Sequence, residues 1–270
     1  MKKFLLLLAI IPLFGSSAFA GPADFSVPIL LYHRFGPTVA DSMTITTPVF
    51  ESHLRYLKEN GYTVIPLRQL VDFYQGKGPV PPPKSVVIVA DDAHKSVYTD
   101  MLPLVKQYRV PVTLFTYPSA ISNASYAMTW EQLREVKATG FFDIQSHTYW
   151  HPNFKKEKKS LAPAEYEKLV KTQLVKAKSK LEKEVGGTID LLAWPFGIYD
   201  EDLLQKAVAA GYVATFTIEA RRAGPADSVM KLPRFLLTDS ARGNTFARIV
   251  GAEAGPAVAK PPAGAGAKAR

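Results

Sequence analysis

Short apolar runs alternate with longer amphipathic stretches along this chain, and Gly or Pro marks most of the changes. Residues 27–33 (Val-Pro-Ile-Leu-Leu-Tyr-His) predict a first strand. Thr47-Pro48 then opens a helix, a capping hydroxyl followed by Pro in the first turn. Phe50, Leu54 and Leu57 form its buried stripe, His53 is a structural or exposed position, and Gly61 ends it. Further strands are expected at 62–65, 86–90, 110–117, 141–146, 189–194, 212–218 and 231–237. Helices are expected at 67–74, at 96–107 with Pro103 as an irregularity, and at 130–139. A Lys-rich amphipathic helix should cover 163–185, with Leu169, Leu174, Ala177, Leu181 and Val185 inward, followed by helices at 201–210 and 242–250. Strands alternating with helices at this spacing imply parallel βαβ units in one α/β domain, and seven or eight units in about 225 residues favour a β/α barrel over an open sheet.

The two ends of the chain read differently. Lys2 and Lys3, an apolar run from Phe4 to Phe14 and the small-x-small site Ala18-Phe19-Ala20 form a secretory leader, 1–20. The run is short for a membrane span, so the mature chain is expected in the periplasm or secreted, with no transmembrane anchor. There is no cysteine, hence no disulfide. The domain, 21–250, must therefore rest on an ordinary core, for which its length is ample. The stretch 251–270 is Ala/Gly/Pro/Lys and is expected to be disordered.

Charge narrows little. Of the net +9, the leader lysines and the tail take +2 each. The remaining +5 is matched by the ten Lys and five Glu of 155–185 alone. A solvated helix face explains that segment; weak electrostatic contact with an anionic envelope polymer is the functional alternative. No aromatic-and-basic module accompanies the lysines, which argues against nucleic acid.

The chemistry collects at strand ends. Val86 to Ala90 is a buried-strand run that stops at Asp91 and Asp92, with His94 close behind. Two carboxylates there are costly unless something positive neutralises them, although an Asp pair can also cap the next helix. His147 and His151 follow another strand, four residues apart, a spacing that puts two imidazoles on one side of a helical turn, able to grip one cation. Two His and one Asp on a cation with open positions is a hydrolytic arrangement.

A strand ending in Asp-Asp, then Ser146-His147-Thr148-Tyr149-Trp150-His151, then Ala193-Trp194-Pro195-Phe196-Gly197 resembles the polysaccharide deacetylases, the NodB-type carbohydrate esterases. The resemblance spans roughly 26–245 and is greatest to the branch acting on poly-N-acetylglucosamine, whose chains also begin with a strand ending in Tyr-His, here Tyr32-His33. It implies a distorted (β/α) barrel and an N-deacetylase of an N-acetylglucosamine-containing polysaccharide. Asp91 would be the general base, and Asp92, His147 and His151 the ligands of a divalent metal, Zn²⁺ or else Co²⁺ or Ni²⁺. The backbone N–H of Phe196 would help form the oxyanion hole.

The chain departs from the family pattern in several places. Ala90 and Ala93 flank the Asp pair where Phe and Gly are usual, the third motif lacks the Arg that often steadies the catalytic Asp, and the late Leu-x-x-His motif supplying a general acid is absent. No histidine follows His151, so His33 is the expected acid and His94 the second candidate. Arg234, in the last strand, either holds a carboxylate or packs outside. Tyr32, Trp150, Phe196 and Tyr199 are candidates for stacking on sugar rings. Two other functions fit the same residues: an O-acetyl esterase on another glycan, and a non-catalytic polysaccharide-binding protein.

Overall fold

A computed structural model describes residues 26–251; the expected leader and nearly all of the tail lie outside them. In chain order the elements are β1 (Ile29–Tyr32), β2 (Arg34–Gly36), β3 (Thr44–Thr46), α1 (Thr47–Glu59), β4 (Thr63–Val64), α2 (Leu67–Tyr74) and β5 (Ser85–Asp91). Then come α3 (Leu102–Tyr108), β6 (Val112–Thr116), α4 (Trp130–Ala138), β7 (Phe142–Ser146), α5 (Phe154–Ser160), α6 (Pro163–Lys171) and α7 (Ala177–Val185). The last are β8 (Leu191–Ala193), α8 (Glu201–Ala209), β9 (Ala214–Phe216), β10 (Phe235–Leu236) and α9 (Asn244–Val250).

The main sheet runs β10-β1-β5-β6-β7-β8-β9, with β4 also on β5, and all its pairings are parallel. It curls on itself. Leu232, just ahead of β10, takes the Thr217 N–H on its carbonyl (2.9 Å) and donates to the Thr215 carbonyl (3.0 Å), so the two ends of the sheet approach each other. This is the expected distorted barrel.

Its two faces have separate cores. Ile29, Leu31, Val87, Val89, Phe115, Leu191 and Phe216 point to the inside, where α2 adds Leu67, Leu70 and Val71. The alternate residues Leu30, Tyr32, Val86, Ile88, Ala90, Leu114 and Ile144 pack outward against the apolar stripes of α1, α3 and α4. A strand's period of two thus assigns every neighbour pair to opposite faces.

Several expectations shift. Thr47 sits inside α1, with Thr46 as the cap, and its hydroxyl binds Gly36 and Asp100. The helix expected at 96–107 begins as a π-turn, 97–101, just before Pro103. The Lys-rich helix is α6 and α7 joined by a second π-turn, 172–176, and a short helix, α5, precedes it. The strands near 191 and 214 are shorter than the apolar runs that contain them. The small parallel pair β2–β3 has no counterpart in the periodicity.

Candidate active site

Inner-face residues at the C-terminal ends of the strands meet in a cavity of about 370 Å³ lined by His33, Asp91, Asp92, Tyr117, His147 and His151, among others. Asp91 continues the inward series Val87, Val89 and is only 2 % exposed. Its partner is Arg234, 0 % exposed, which donates from Nη1 to Oδ1 (2.8 Å) and from Nη2 to Oδ2 (3.0 Å). The same guanidinium donates from Nε to the Thr217 carbonyl (2.9 Å) and lies over the Phe115 ring. Arg234 immediately precedes β10, and β10 pairs with β1, which pairs with β5. Burial alone would push the Asp91 carboxyl up; Arg234, with His147 and His33, more than offsets it and holds the pKa below the usual range.

Adjacent residues of a strand face opposite ways, yet Asp92 lines the same cavity. The chain turns there through left-handed backbone, φ 72° at Asp92 and 51° at Ala93. An L-residue in that region costs about 1–2 kcal/mol, which glycine would avoid. Among the described residues eight non-glycines have positive φ, and five of them, Asp92, Ala93, Thr148, His151 and Phe196, lie in or beside this site. Strain concentrated in this way marks a built site.

β7 delivers His147, and the loop after it delivers His151. The two imidazoles meet across this loop, not on the helical turn expected from their spacing; Thr148 and His151 have φ 66° and 61°, and the rings are 4.7 Å apart. His147 donates its Nδ1–H to the Ala193 carbonyl (2.8 Å), which leaves the Nε2 lone pair facing the two carboxylates. That Nε2 is 3.6 Å from both Asp91 Oδ2 and Asp92 Oδ1, and His151 Nε2 is 3.8 Å from Asp92 Oδ1. Ligand atoms of Asp92, His147 and His151 all lie within 4.8 Å of one another. Asp92 Oδ1 is buried without a hydrogen-bond partner. Burial pushes the Asp92 carboxyl up, the His147 imidazole down to about 3 and the His151 imidazole down. Neutral imidazoles and one unsatisfied carboxylate oxygen are the donor set a divalent cation takes. These three residues fit a metal.

His33 continues the inward series Ile29, Leu31, and its Nδ1 is buried without a partner. Burial lowers its pKa, opposed by the charges of Asp91 and Asp92. Phe196 is 54 % exposed at the rim, its ring edge-on to His151 at 4.6 Å. The turn holding it closes through Gly197 N–H to the Trp194 carbonyl (2.9 Å). A Cβ on Gly197 would lie 2.5 Å from Ile218 Cγ1, so only glycine fits against that neighbour.

Four expected residues lie elsewhere. Tyr32 is 0 % exposed on the outer face, where its hydroxyl meets His53 Nδ1 at 3.1 Å; strand parity forbids it and His33 from sharing a cavity. Trp150 is exposed against Tyr149, and Tyr199 reaches Glu219 at 3.3 Å; neither lines the cavity. His94 turns away, its Nδ1 on Ser96 Oγ (2.8 Å) and its ring stacked on Tyr126. Conversely Tyr117, 5.5 Å from the His151 ring, lines the cavity with Arg34 and Met43 of the β2–β3 region, none of them anticipated. Tyr117 continues the inward parity of Phe115, a signal already present in the strand. For Arg234 the signal was a charge inside the apolar run 231–237.

The family model for polysaccharide deacetylase matches residues 78–215, just over half of the chain. The chain belongs to the polysaccharide deacetylase family. Poly-beta-1,6-N-acetyl-D-glucosamine N-deacetylase of Staphylococcus aureus (strain MRSA252) is 26 % identical over 202 residues, 73 % of this chain and 69 % of the relative. The Streptococcus pyogenes deacetylase PplD, solved with acetate, shares the fold with a TM-score of 0.74 at 20 % identity, over 83 % of this chain and 98 % of that one. IcaB from Ammonifex degensii does so with a TM-score of 0.72 at 23 % identity, over 84 % and 97 %.

Proposed function

We propose that this polysaccharide deacetylase is a secreted, metal-dependent hydrolase that removes N-acetyl groups from a poly-N-acetylglucosamine chain. The observation that carries the reading is Asp91, buried and held ionised by Arg234, beside the Asp92–His147–His151 cluster in one cavity. The name of the staphylococcal relative supports the choice of polymer. The leader sequence supports export, and among the described residues no helix is long and apolar enough to cross a membrane.

Amide hydrolysis needs an activated water, a site for the oxyanion and a proton for the departing amine. A divalent ion on Asp92, His147 and His151 would polarise the acetyl oxygen and lower the pKa of water toward about 7. Asp91 takes the proton released as the water oxygen bonds to the acetyl carbon. Arg234 keeps that carboxylate ionised and its orientation fixed until then. The Phe196 N–H donates to the oxyanion. The proton taken up by Asp91 is relayed through His33, which delivers it to the amine nitrogen as the C–N bond breaks, leaving acetate and a free amine.

The test is acetate release from poly-N-acetylglucosamine and from a panel of N- and O-acetylated glycans, with and without chelator. Chelator-sensitive release from the N-acetylated polymer is the expected result. Release confined to O-acetylated glycans would make the chain an esterase, and none from any substrate would make it a binding protein. Replacing His33 by Ala should cut turnover strongly; an unchanged pH–rate profile would remove His33 from the mechanism.

A further inference from the structure

The loop that carries His147 and His151 is held from behind by one irregular helical turn. The 163–185 helix widens into a π-turn at Thr172–Lys176, and π-turns within α-helices are frequent where a helix serves a site. Gln173 in that turn is fully buried, among the apolar positions Val170, Leu174 and Ala177. A polar side chain there is unfavourable unless it is hydrogen-bonded. Its Oε1 accepts the backbone N–H groups of Tyr149 (2.9 Å) and Trp150 (3.1 Å), which lie between the two histidines.

The next residue supplies a second strut. The Leu174 carbonyl accepts the Tyr212 hydroxyl at 2.9 Å, and the same hydroxyl is 2.9 Å from Ser146 Oγ, the residue before His147. The π-turn therefore grips the loop at its start, through Tyr212, and in its middle, through Gln173. Between these grips the backbone passes through left-handed φ at Thr148, and again at His151 just beyond them. Such a conformation persists only where its surroundings over-determine it.

We propose that Gln173 is a positioning residue for the metal site, with Tyr212 as its accessory: the two fix the loop so that His147 and His151 present Nε2 to the same point as Asp92. The inference rests on the reading of those three residues as metal ligands. Groups that orient metal ligands typically change metal affinity by about 10–100-fold when removed.

The experiment measures divalent-metal affinity of the full-length protein by competition with a chromophoric chelator, using Zn²⁺, and records the visible absorption spectrum with Co²⁺. Gln173→Leu keeps the bulk and removes the acceptor; it should weaken Zn²⁺ binding at least 10-fold and alter the Co²⁺ spectrum. Gln173→Glu keeps an acceptor oxygen for both N–H groups and should recover most of that affinity. Tyr212→Phe should weaken binding by a smaller factor, and it carries the test if Gln173→Leu does not fold. Wild-type binding with unchanged affinity and spectrum in Gln173→Leu would overturn the proposal, as would unchanged binding in Tyr212→Phe where that variant stands in. Absence of metal binding by the wild type would instead overturn the ligand reading beneath it.

Discussion

Replacing Arg234 by Leu removes the partner of a carboxylate that is 2 % exposed. Arg234 makes two hydrogen bonds to Asp91, 2.8 and 3.0 Å, and a third to the Thr217 carbonyl. Breaking a buried pair by removing one partner costs about 3–5 kcal/mol, because the other charge stays buried without compensation. For a domain of this size each kcal/mol moves Tm by about 2–4 °C, so the variant should melt about 6–20 °C below the wild type. The assay is thermal unfolding followed by circular dichroism, on Arg234→Leu, Asp91→Leu and the double variant. Because the loss is that of an unpaired charge, the double variant should melt above Arg234→Leu. The pH dependence has a definite sign. In the wild type the Asp91 pKa is depressed, so its stabilisation is complete above the ordinary carboxylate value of about 3.9 and is lost as pH falls through the depressed one. Without Arg234 burial dominates and raises the pKa, so the penalty exists at neutral pH and shrinks as the medium becomes acidic. A Tm within about 2 °C of wild type, or a double variant no more stable than Arg234→Leu, would refute the argument.

His53 is buried and neutral, accepting from the Tyr32 hydroxyl and donating to the Ala241 carbonyl, and burial pulls its pKa from 6.5 to about 4. The unfolded state then binds more protons between those values, so this residue should remove about 3 kcal/mol of stability as pH falls from 6.5 to 4. Denaturant unfolding of His53→Gln should show a flatter slope across that window, and an unchanged slope would contradict the assignment. Zn²⁺ at about 100 times its dissociation constant should stabilise the fold by about 2.7 kcal/mol. That rise in Tm should vanish in His151→Ala; its persistence would mean the ion binds elsewhere.

Two of the strands that matter are legible because they stop at the chemistry: the apolar run Val86 to Ala90 at Asp91, and the strand 141–146 at His147. Parity was equally legible. Val87 and Val89 put Asp91 inward, Ile29 and Leu31 put His33 inward, and the same alternation turns Tyr32 outward; Tyr117, two residues after the inward Phe115, lines the cavity. The Asp91–Arg234 pair spans 143 positions, and no local pattern shows that β10 lies two strands from β5. Left-handed turns at Asp92, Thr148 and His151 were hidden because none of these positions is a glycine. Gln173 left a trace, a polar residue beside an apolar stripe, but its bonds reach a loop 23 and 24 positions away. The pair β2–β3 is three residues per strand, too short for periodicity to register.

We propose that the neighbouring carboxylates do different work, Asp91 on the proton and Asp92 on the metal. That difference is tested most directly by Asp91→Asn, with bound metal and acetate release from poly-N-acetylglucosamine measured on the same preparation. The expected result is a full complement of metal with turnover abolished. Undiminished acetate release from that variant, or loss of the metal with it, would contradict the division of roles.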